Sequence, residues 1–181
     1  MTVSISIAHT WGSTPTERAQ LFPCDQYLPN AESVYFRAVD VQASPHIVFR
    51  WLCQLRVAPY SYDWLDNGGR QSPRKLTPGL ENLEVGQRVM SIFKLVEFEQ
   101  DRHLTLVMAT SRAIAMFGEI AGSYVIFPQT DQICRLVAKL LVRYPRKSFW
   151  SFMRWFLPWG DLVMMRKQLL TLKHLAESQA R

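Results

Sequence analysis

A single long amphipathic helix pattern closes the chain, and it follows a run of strand patterns. The apolar positions that recur at helical spacing in this last segment are Leu162, Met165, Leu169, Leu172 and Ala176. Charged side chains occupy the other side, and Asp161 is a residue type that caps helix N-termini. We therefore predict a helix from Asp161 to about Gln179, the only segment long enough to cover the apolar face of a sheet.

Strand patterns fill much of the preceding chain. They lie at 34–41, 89–99, 104–110, 120–127 and 133–144. The last is the most regular, because apolar residues at every second position from Cys134 to Tyr144 alternate with a set that includes Arg135, Lys139 and Arg143. Such alternation predicts one apolar face and one largely solvated face. Short connections between the later strands predict antiparallel pairing.

Helix-start signals lie in the first third of the chain. Thr14, Pro15 and Glu17 form a capping-box pattern with proline at the first helical position, and Pro23 limits the length of this helix. The dipeptide at 44–45, Ser-Pro, begins a longer helix that continues to residue 55, and a short helix is expected at 61–65 before the Asn-Gly-Gly at 67–69. Residues 1–32 are expected to form an irregular arm packed on a domain at 33–181.

This order of elements predicts an α+β fold. A curved antiparallel sheet would wrap around the long C-terminal helix, with two short helices after the first strand. A strongly curved sheet that grips one helix tends to leave space between the two. We expect a ligand site in that space.

Four stretches give the chain a family resemblance. They are WGST at 11–14 with Glu17 and FPCD at 22–25, FRAVDV at 36–41 with SP at 44–45 and VFRWLCQL at 48–55, YSYDWLDN at 60–67, and LEVGQ at 83–87. On these residues the chain resembles the START-like helix-grip superfamily, also called SRPBCC, and in particular its bacterial polyketide cyclase/dehydrase and lipid-transport branch. The resemblance spans nearly the whole chain. It implies a hydrophobic cavity between the sheet and the C-terminal helix, and it supplies no catalytic residue to carry over.

The candidate ligand-binding residues come from four parts of the predicted fold. They are Trp51 and Leu55 from the first long helix, Tyr60, Tyr62 and Trp64 from the stretch that follows, Phe93, Leu106 and Met108 from the sheet, and Met165 and Leu169 from the last helix. Tyrosine and tryptophan combine an apolar body with a polar tip, which suits the rim of a cavity. The same aromatics could instead fill the core beneath the loop at 67–73. The sequence leaves both interpretations open.

Catalytic motifs are missing from the sequence, which contains no GxGxxG, GxxxxGK[ST], GxSxG or HExxH. No two of the four histidines are spaced as metal ligands, so we expect neither a metal nor a cofactor. A polar group in the cavity remains a catalytic hypothesis, with the carboxylates Glu119 and Asp63 and the guanidinium of Arg135 as candidates. The alternatives are structural: Glu119 is an exposed residue or pairs with Arg135, and Asp63 caps the short helix or binds a nearby arginine.

Positive charge is concentrated towards the C-terminus. Residues 1–134 carry eleven Lys/Arg and thirteen Asp/Glu, whereas residues 135–181 carry ten and two, a net charge of +8. The stretch 143–159, RYPRKSFWSFMRWFLPW, places seven aromatics among four cations. The candidate contact residues in it are Arg146, Lys147, Trp150, Trp155 and Phe156. Cations flanking Trp and Phe are typical of a membrane-surface segment, and a wall of the cavity or a protein interface are the alternatives.

These patterns favour a binding protein over an enzyme. The function that we predict is to carry or sense a small hydrophobic ligand such as a lipid, isoprenoid or polyketide. A cyclase or dehydratase acting on a polyketide-like substrate is the alternative, and a membrane or protein adaptor acting through 143–159 is a third. Nucleic acid is disfavoured because no recognition motif accompanies the basic residues.

The expected location is the cytoplasm, with peripheral contact to an anionic membrane left open. The chain does not begin with a signal-peptide pattern, and no stretch reaches the roughly 18–20 apolar residues of a membrane span. The three cysteines form no CxxC motif and no even framework, which indicates reduced thiols.

Overall fold

A computed structural model describes residues 6–145 and 153–181 of the chain. The strands in this part are β1 (Ser33–Val41), β2 (Arg88–Val89), β3 (Phe93–Glu99), β4 (His103–Met108), β5 (Glu119–Thr130) and β6 (Ile133–Arg143). The α-helices are α1 (Ile7–Thr10), α2 (Pro15–Arg18), α3 (Pro45–Cys53), α4 (Asp63–Asp66), α5 (Ser111–Phe117) and α6 (Met153–Gln179). The strands form one antiparallel sheet in the order β1-β6-β5-β4-β3-β2, with α6 packed across it. The predicted α+β arrangement of a sheet around a long C-terminal helix is confirmed.

Local capping chemistry sets the early helix starts as predicted. The Glu17 N–H donates to the Thr14 hydroxyl at 3.2 Å, and the Glu17 carboxylate accepts from the Thr14 N–H at 2.7 Å, which completes the capping box of α2. The Ser44 hydroxyl caps α3 in the same position, with Pro45 as its first residue.

The two faces of β6 are both buried, which corrects the prediction of a largely solvated face. One face carries Leu136 and Leu140 towards α6, and the other carries Val137, Lys139 and Leu141 beneath the N-terminal arm. The arm places Phe22, Cys24 and Leu28 on this outer face. The sequence alternation was therefore correct about the parity of the strand, but tertiary packing of the arm removed the solvent.

Polar contacts attach the arm to the outer face of the sheet. The backbone N–H of Cys24 donates to the Ser123 hydroxyl at 2.8 Å, and the Lys139 ammonium lies 2.6 Å from the Asp25 carboxylate. Near its start the arm also covers the edge of β1, because the Ala38 N–H donates to the Trp11 carbonyl at 3.1 Å. An edge strand with a paired backbone is protected from association with other chains.

The last helix begins earlier than predicted. Its described part runs from Met153 through Pro158 and Gly160, so Asp161 lies inside the helix and is not its N-cap. The helix accommodates Pro158, although proline has no backbone N–H to donate to the preceding turn. The carbonyl of Pro158 lies 3.4 Å from a guanidinium nitrogen of Arg37. The same nitrogen also donates to Asp161.

Two smaller differences concern the sheet. The predicted strand at 89–99 is divided into β2 and β3 by a tight turn in which Met90 and Ser91 adopt positive φ. Helix α5 was not predicted, and it ends at Gly118, which adopts φ +88°. Residues with positive φ at both places produce turns that side-chain patterns alone do not reveal.

Candidate functional site

The interior between the sheet and α6 collects most of the predicted ligand-binding residues. Six of them belong to one buried core cluster: Trp51, Leu55, Tyr60, Leu106, Met165 and Leu169. Phe93 is half-buried and packs against this cluster, while Met108 is buried outside it. The interior is therefore apolar and is built from α3 and the 3-10 turn after it, from the inner face of the sheet, and from α6.

The aromatic stretch after α3 is divided between core and surface. Tyr60 is 1% exposed and Tyr62 is half-buried, whereas Trp64 on α4 is 74% exposed. Trp64 is thus at the surface and does not line the interior. Tyr60 agrees with the core interpretation of this stretch, and Trp64 does not, because α4 turns its side chain away from the domain.

Tyr60 combines three unusual features. Its ring packs edge-on against Trp51 with centroids 6.0 Å apart, and its hydroxyl is buried with no hydrogen-bond partner among the described residues. Its backbone adopts φ +56°, a conformation that is uncommon for a bulky residue and is associated with strained functional positions. Burial raises the pKa of the Tyr60 phenol to about 12, with a contribution from the negative charge of Asp63. This hydroxyl is neutral at physiological pH and available as a donor.

A polar bridge crosses the interior beside Tyr60. The Tyr124 hydroxyl on β5 donates to the Gln168 side-chain oxygen on α6 at 2.7 Å, and the Gln168 amide nitrogen donates to the Pro59 carbonyl at 2.6 Å. Gln168 is 3% exposed. The bridge connects the sheet, α6 and the residue that precedes Tyr60. Sequence reasoning missed Gln168, although it follows Met165 at i+3 on the apolar face of the helix.

A second polar cluster lies between β1 and α6. The Arg37 guanidinium is completely buried and donates to the Asp161 carboxylate at 2.6 Å, and also to the carbonyls of Phe36 and Ala8, both at 2.8 Å. Burial raises the pKa of Asp161 to about 6, while the positive charge of Arg37 acts in the opposite direction. Sequence reasoning also missed Arg37. Strand alternation could have revealed it, because Arg37 is two residues from Tyr35 in β1 and therefore points to the same inward face.

Tyrosines extend this second cluster along the sheet. The hydroxyls of Tyr35 and Tyr144 are 2.6 Å apart, and the Tyr144 hydroxyl donates to the Ser33 hydroxyl at 3.0 Å. Burial raises the pKa of Tyr35 far above its usual range, with a further contribution from its hydrogen bond to Tyr144. These groups are partnered with one another, which distinguishes them from the hydroxyl of Tyr60.

The three candidate catalytic residues do not face the interior. Glu119 is paired with Arg143 at 2.5 Å, directly across the β5–β6 register, and not with Arg135. Arg135 lies on the outer side of β6, 2.7 Å from Glu17 and 3.2 Å from Asp40. Strand parity explains both positions.

Asp63, the third candidate, has a structural role in the loop. It is the first residue of α4, and its carboxylate accepts from the Ser72 backbone N–H at 3.0 Å and from the Ser72 hydroxyl. Among the described residues, no hydrogen bond joins Asp63 to the nearby arginines Arg70 and Arg74. Asp63 holds the ends of the 63–72 loop together.

Two cavities among the described residues open at the surface. One has a volume of about 460 Å³ and is bordered by Glu17, Asp40 and Arg135. The other has a volume of about 440 Å³, is apolar, and lies between Ile92 and α5. Neither is lined by a residue of α6. Neither cavity coincides with the predicted ligand site between the sheet and α6.

The basic aromatic stretch is only partly described. Arg146, Lys147 and Trp150 lie outside the described residues, whereas Trp155 and Phe156 are 75% and 55% exposed at the start of α6. No helix in the described part is long and apolar enough to cross a membrane. No group of three or more potential metal ligands occurs within residues 6–145 and 153–181.

Comparisons with known proteins identify the fold. No family model and no curated protein matches the sequence. Solved structures do match: the aromatase/cyclase Zhui from Streptomyces sp. R1128 aligns with 82% of this chain and 95% of its own, at 12% identity and a TM-score of 0.56. The chain has the helix-grip fold. A Thermus thermophilus protein aligns over 82% of this chain and 99% of its own, at 15% identity and a TM-score of 0.53.

A third solved structure is longer than this chain. The di-domain aromatase/cyclase BexL from the BE-7585A biosynthetic pathway aligns with 80% of this chain and 46% of its own, at 14% identity and a TM-score of 0.51. The likeness to these proteins, at identities of 12–15%, shows the fold and not the activity.

Proposed function

We propose that the protein binds a small hydrophobic ligand carrying an oxygen acceptor, in the interior between the sheet and α6. The single observation that carries this proposal is the buried Tyr60 hydroxyl, which has no partner among the described residues. A buried tyrosine hydroxyl usually finds a hydrogen-bond partner, and an unpaired one calls for a specific explanation. A carbonyl or hydroxyl oxygen of a ligand would provide that partner.

The surroundings of Tyr60 favour an apolar body for this ligand. Trp51, Leu55 and Leu169 lie in the same cluster, and the thioether of Met90 is 3.3 Å from the Gln168 amide. Methionine side chains adapt to varied shapes, and a Met165 sulfur also contacts the Tyr124 hydroxyl at 3.5 Å. Because the residues of this cluster are buried against one another, the ligand would enter by displacing some of their side chains.

The segment that contains Tyr60 is suited to that displacement. The positive φ of Tyr60 stores conformational strain, and Gly68 and Gly69 also adopt positive φ beyond α4. Relief of strain at Tyr60 would offset part of the cost of opening. The likeness to aromatase/cyclases is compatible with this binding mode, and their catalysis is not carried over to this chain.

Binding is favoured over catalysis by the positions of the charged groups. Glu119, Arg135 and Asp63 are engaged at the surface, and the Arg37–Asp161 pair is saturated by its own partners apart from Arg37 Nε. A cyclase or dehydratase reaction would require an acid or base that reaches the ligand. None of these charged groups reaches the interior as an acid or base without first leaving its partner.

A direct test compares two tyrosine variants. Native mass spectrometry of gently purified protein, followed by extraction, would identify a retained ligand, and titration with a naphthol and a fluorescent fatty acid would measure uptake. Loss of one hydrogen bond in Tyr60→Phe should weaken naphthol binding about five- to tenfold. Tyr27→Phe is the matched control, because the Tyr27 hydroxyl donates to Glu97 on the far side of the sheet.

Two results would contradict the proposal. One is a clean mass with no uptake of either probe. The other is equal binding by the Tyr60 and Tyr27 variants, which would show that the ligand lies away from the unpaired hydroxyl.

A further inference from the structure

The first half of α6 presents an exposed apolar surface. Trp155, Phe156, Trp159 and Val163 are 75%, 55%, 45% and 51% exposed, and we name these four residues the aromatic face. Residues 155, 159 and 163 follow one another at intervals of four, so their side chains lie along one side of the helix. The adjoining side of the helix, about a quarter-turn away, carries Leu162, Met165 and Leu169 into the core. Contiguous exposed apolar surface of this kind marks an interaction site.

The charges that α6 itself carries beside the aromatic face are mostly positive, although Arg154 at its start is paired with Glu32 of the arm. Between Arg143 and Lys173 the sequence contains one acidic residue, Asp161, and this residue is paired with the buried Arg37. Arg166 and Lys167 are exposed one turn beyond the aromatic face. The guanidinium of Arg166 also lies 5.6 Å from the centre of the Trp11 ring, which holds it beside α6.

We propose that the aromatic face docks on an anionic phospholipid membrane, with α6 lying in the plane of the surface. Tryptophan and phenylalanine beside basic residues are the composition that partitions into the boundary between headgroups and acyl chains. Each cation near an anionic surface adds attraction that extends about one Debye length. Since α6 is not apolar enough to cross a bilayer, it lies on the surface and does not span it.

A second copy of the chain fits this face poorly. A two-fold interface joins the same patch of both copies, so a surface with mostly positive charges would bring cations of one copy near cations of the other. Like charges in contact oppose association. Membrane phosphates provide the opposite charge and leave the aromatic side chains in an apolar environment.

The surface also lies close to the N-terminal arm. Helix α1 packs against α6 and exposes 57% of Ile7, another large apolar side chain. Docking by α6 would bring α1 to the membrane side of the domain. The inference does not depend on the proposed ligand site, because the aromatic face is on the outside of the helix.

Vesicle co-sedimentation of the full chain tests the proposal. The vesicles are phosphatidylcholine alone or phosphatidylcholine mixed with phosphatidylglycerol. The wild-type protein should bind only the mixed vesicles and lose binding as salt is raised. The double variant Trp155→Ser, Phe156→Ser should bind at least about tenfold more weakly, and Lys167→Gln about fivefold more weakly.

A matched control removes exposed apolar residues elsewhere. Leu21 and Val85 are 92% and 64% exposed, away from α6, and Leu21→Ser, Val85→Ser should bind like the wild type. Brominated phospholipid gives a second measurement that needs no variant, since it should quench tryptophan fluorescence of the wild-type protein on mixed vesicles.

Four outcomes would overturn the inference. They are no binding to mixed vesicles, equal binding to both kinds of vesicle, unchanged binding by the Trp155/Phe156 variant, and absence of quenching. A wild-type dimer that this variant converts to a monomer without any vesicle binding would also overturn it, because the face would then be an interface between copies.

Discussion

Breaking the Arg37–Asp161 pair should destabilise the protein more than any surface ion pair. Arg37 is completely buried, and the Asp161 side chain is only 13% exposed. Asp161→Ala would leave a guanidinium in the interior without its carboxylate. Removing one partner of a buried pair costs about 3–5 kcal/mol, whereas exposed pairs contribute about 0–1 kcal/mol.

The lower end of that range applies here. Arg37 keeps the carbonyls of Phe36 and Ala8 as acceptors, each at 2.8 Å, so part of its charge stays solvated by the backbone. A loss of about 3 kcal/mol is a large part of a typical 5–15 kcal/mol free energy of unfolding. For a chain of this length it lowers the Tm by roughly 6–12 °C.

The same ion pair also predicts how the stability of a second variant, Arg37→Met, changes with pH. Burial raises the pKa of Asp161 to about 6, and Arg37 opposes this rise. In Arg37→Met the opposition is gone, so the folded-state pKa rises further above the unfolded value of about 3.9. The folded protein then binds a proton that the unfolded chain releases, and its stability falls as pH rises between these two values. Arg37→Met should be more stable at pH 5 than at pH 8, relative to the wild type.

Urea denaturation followed by circular dichroism measures these differences. The double variant Arg37→Met, Asp161→Ala completes a double-mutant cycle, and it should lose less stability than the two single variants combined. The reasoning would be refuted by a loss below about 1 kcal/mol for Asp161→Ala, the range of exposed pairs. It would also be refuted if the difference in unfolding free energy between Arg37→Met and the wild type were the same at pH 5 and pH 8.

Two further predictions concern packing. Gly118 adopts φ +88°, and an added Cβ would lie 2.1 Å from the Arg143 carbonyl oxygen, so Gly118→Ala should cost more than about 2 kcal/mol in urea denaturation. Gly68→Ala, at φ +59° with open space around it, should cost clearly less, and equal losses would argue against the clash. The thiols are all buried, and burial raises their pKa: Cys24 and Cys134 to about 11 and Cys53 to about 12. The native protein should therefore react with a thiol reagent only at the rate of unfolding, and one rapidly labelled thiol in native buffer would contradict this.

Local sequence patterns determined a large part of the fold. The caps at Thr14 and Ser44 act over three residues, so their side chains define helix starts without help from the rest of the chain. Alternation in β6 fixed which side chains share a face, since successive residues of a strand point in opposite directions. The apolar stripe of α6 identified the helix that covers the sheet.

The same patterns contained two site residues that were overlooked. Arg37 has the inward parity of Tyr35 and Val39, and Gln168 has the helical spacing of Met165 and Leu169. A polar residue at a core position is a signal in its own right, because its burial requires partners. The partners themselves, Asp161 and Tyr124, are distant in sequence and could not be assigned from it.

Contacts between distant segments decided the rest. The sequence alone established the main strands and helices apart from α5 and the division of β2 from β3, the α+β class, and the apolar composition of the interior, because these follow from local periodicity. Only the tertiary structure buried the outer face of β6 under the arm, continued α6 through Pro158, and left Trp64 in solvent while enclosing Tyr60. In each case the outcome depends on what packs against a segment, and that is set by residues far away along the chain.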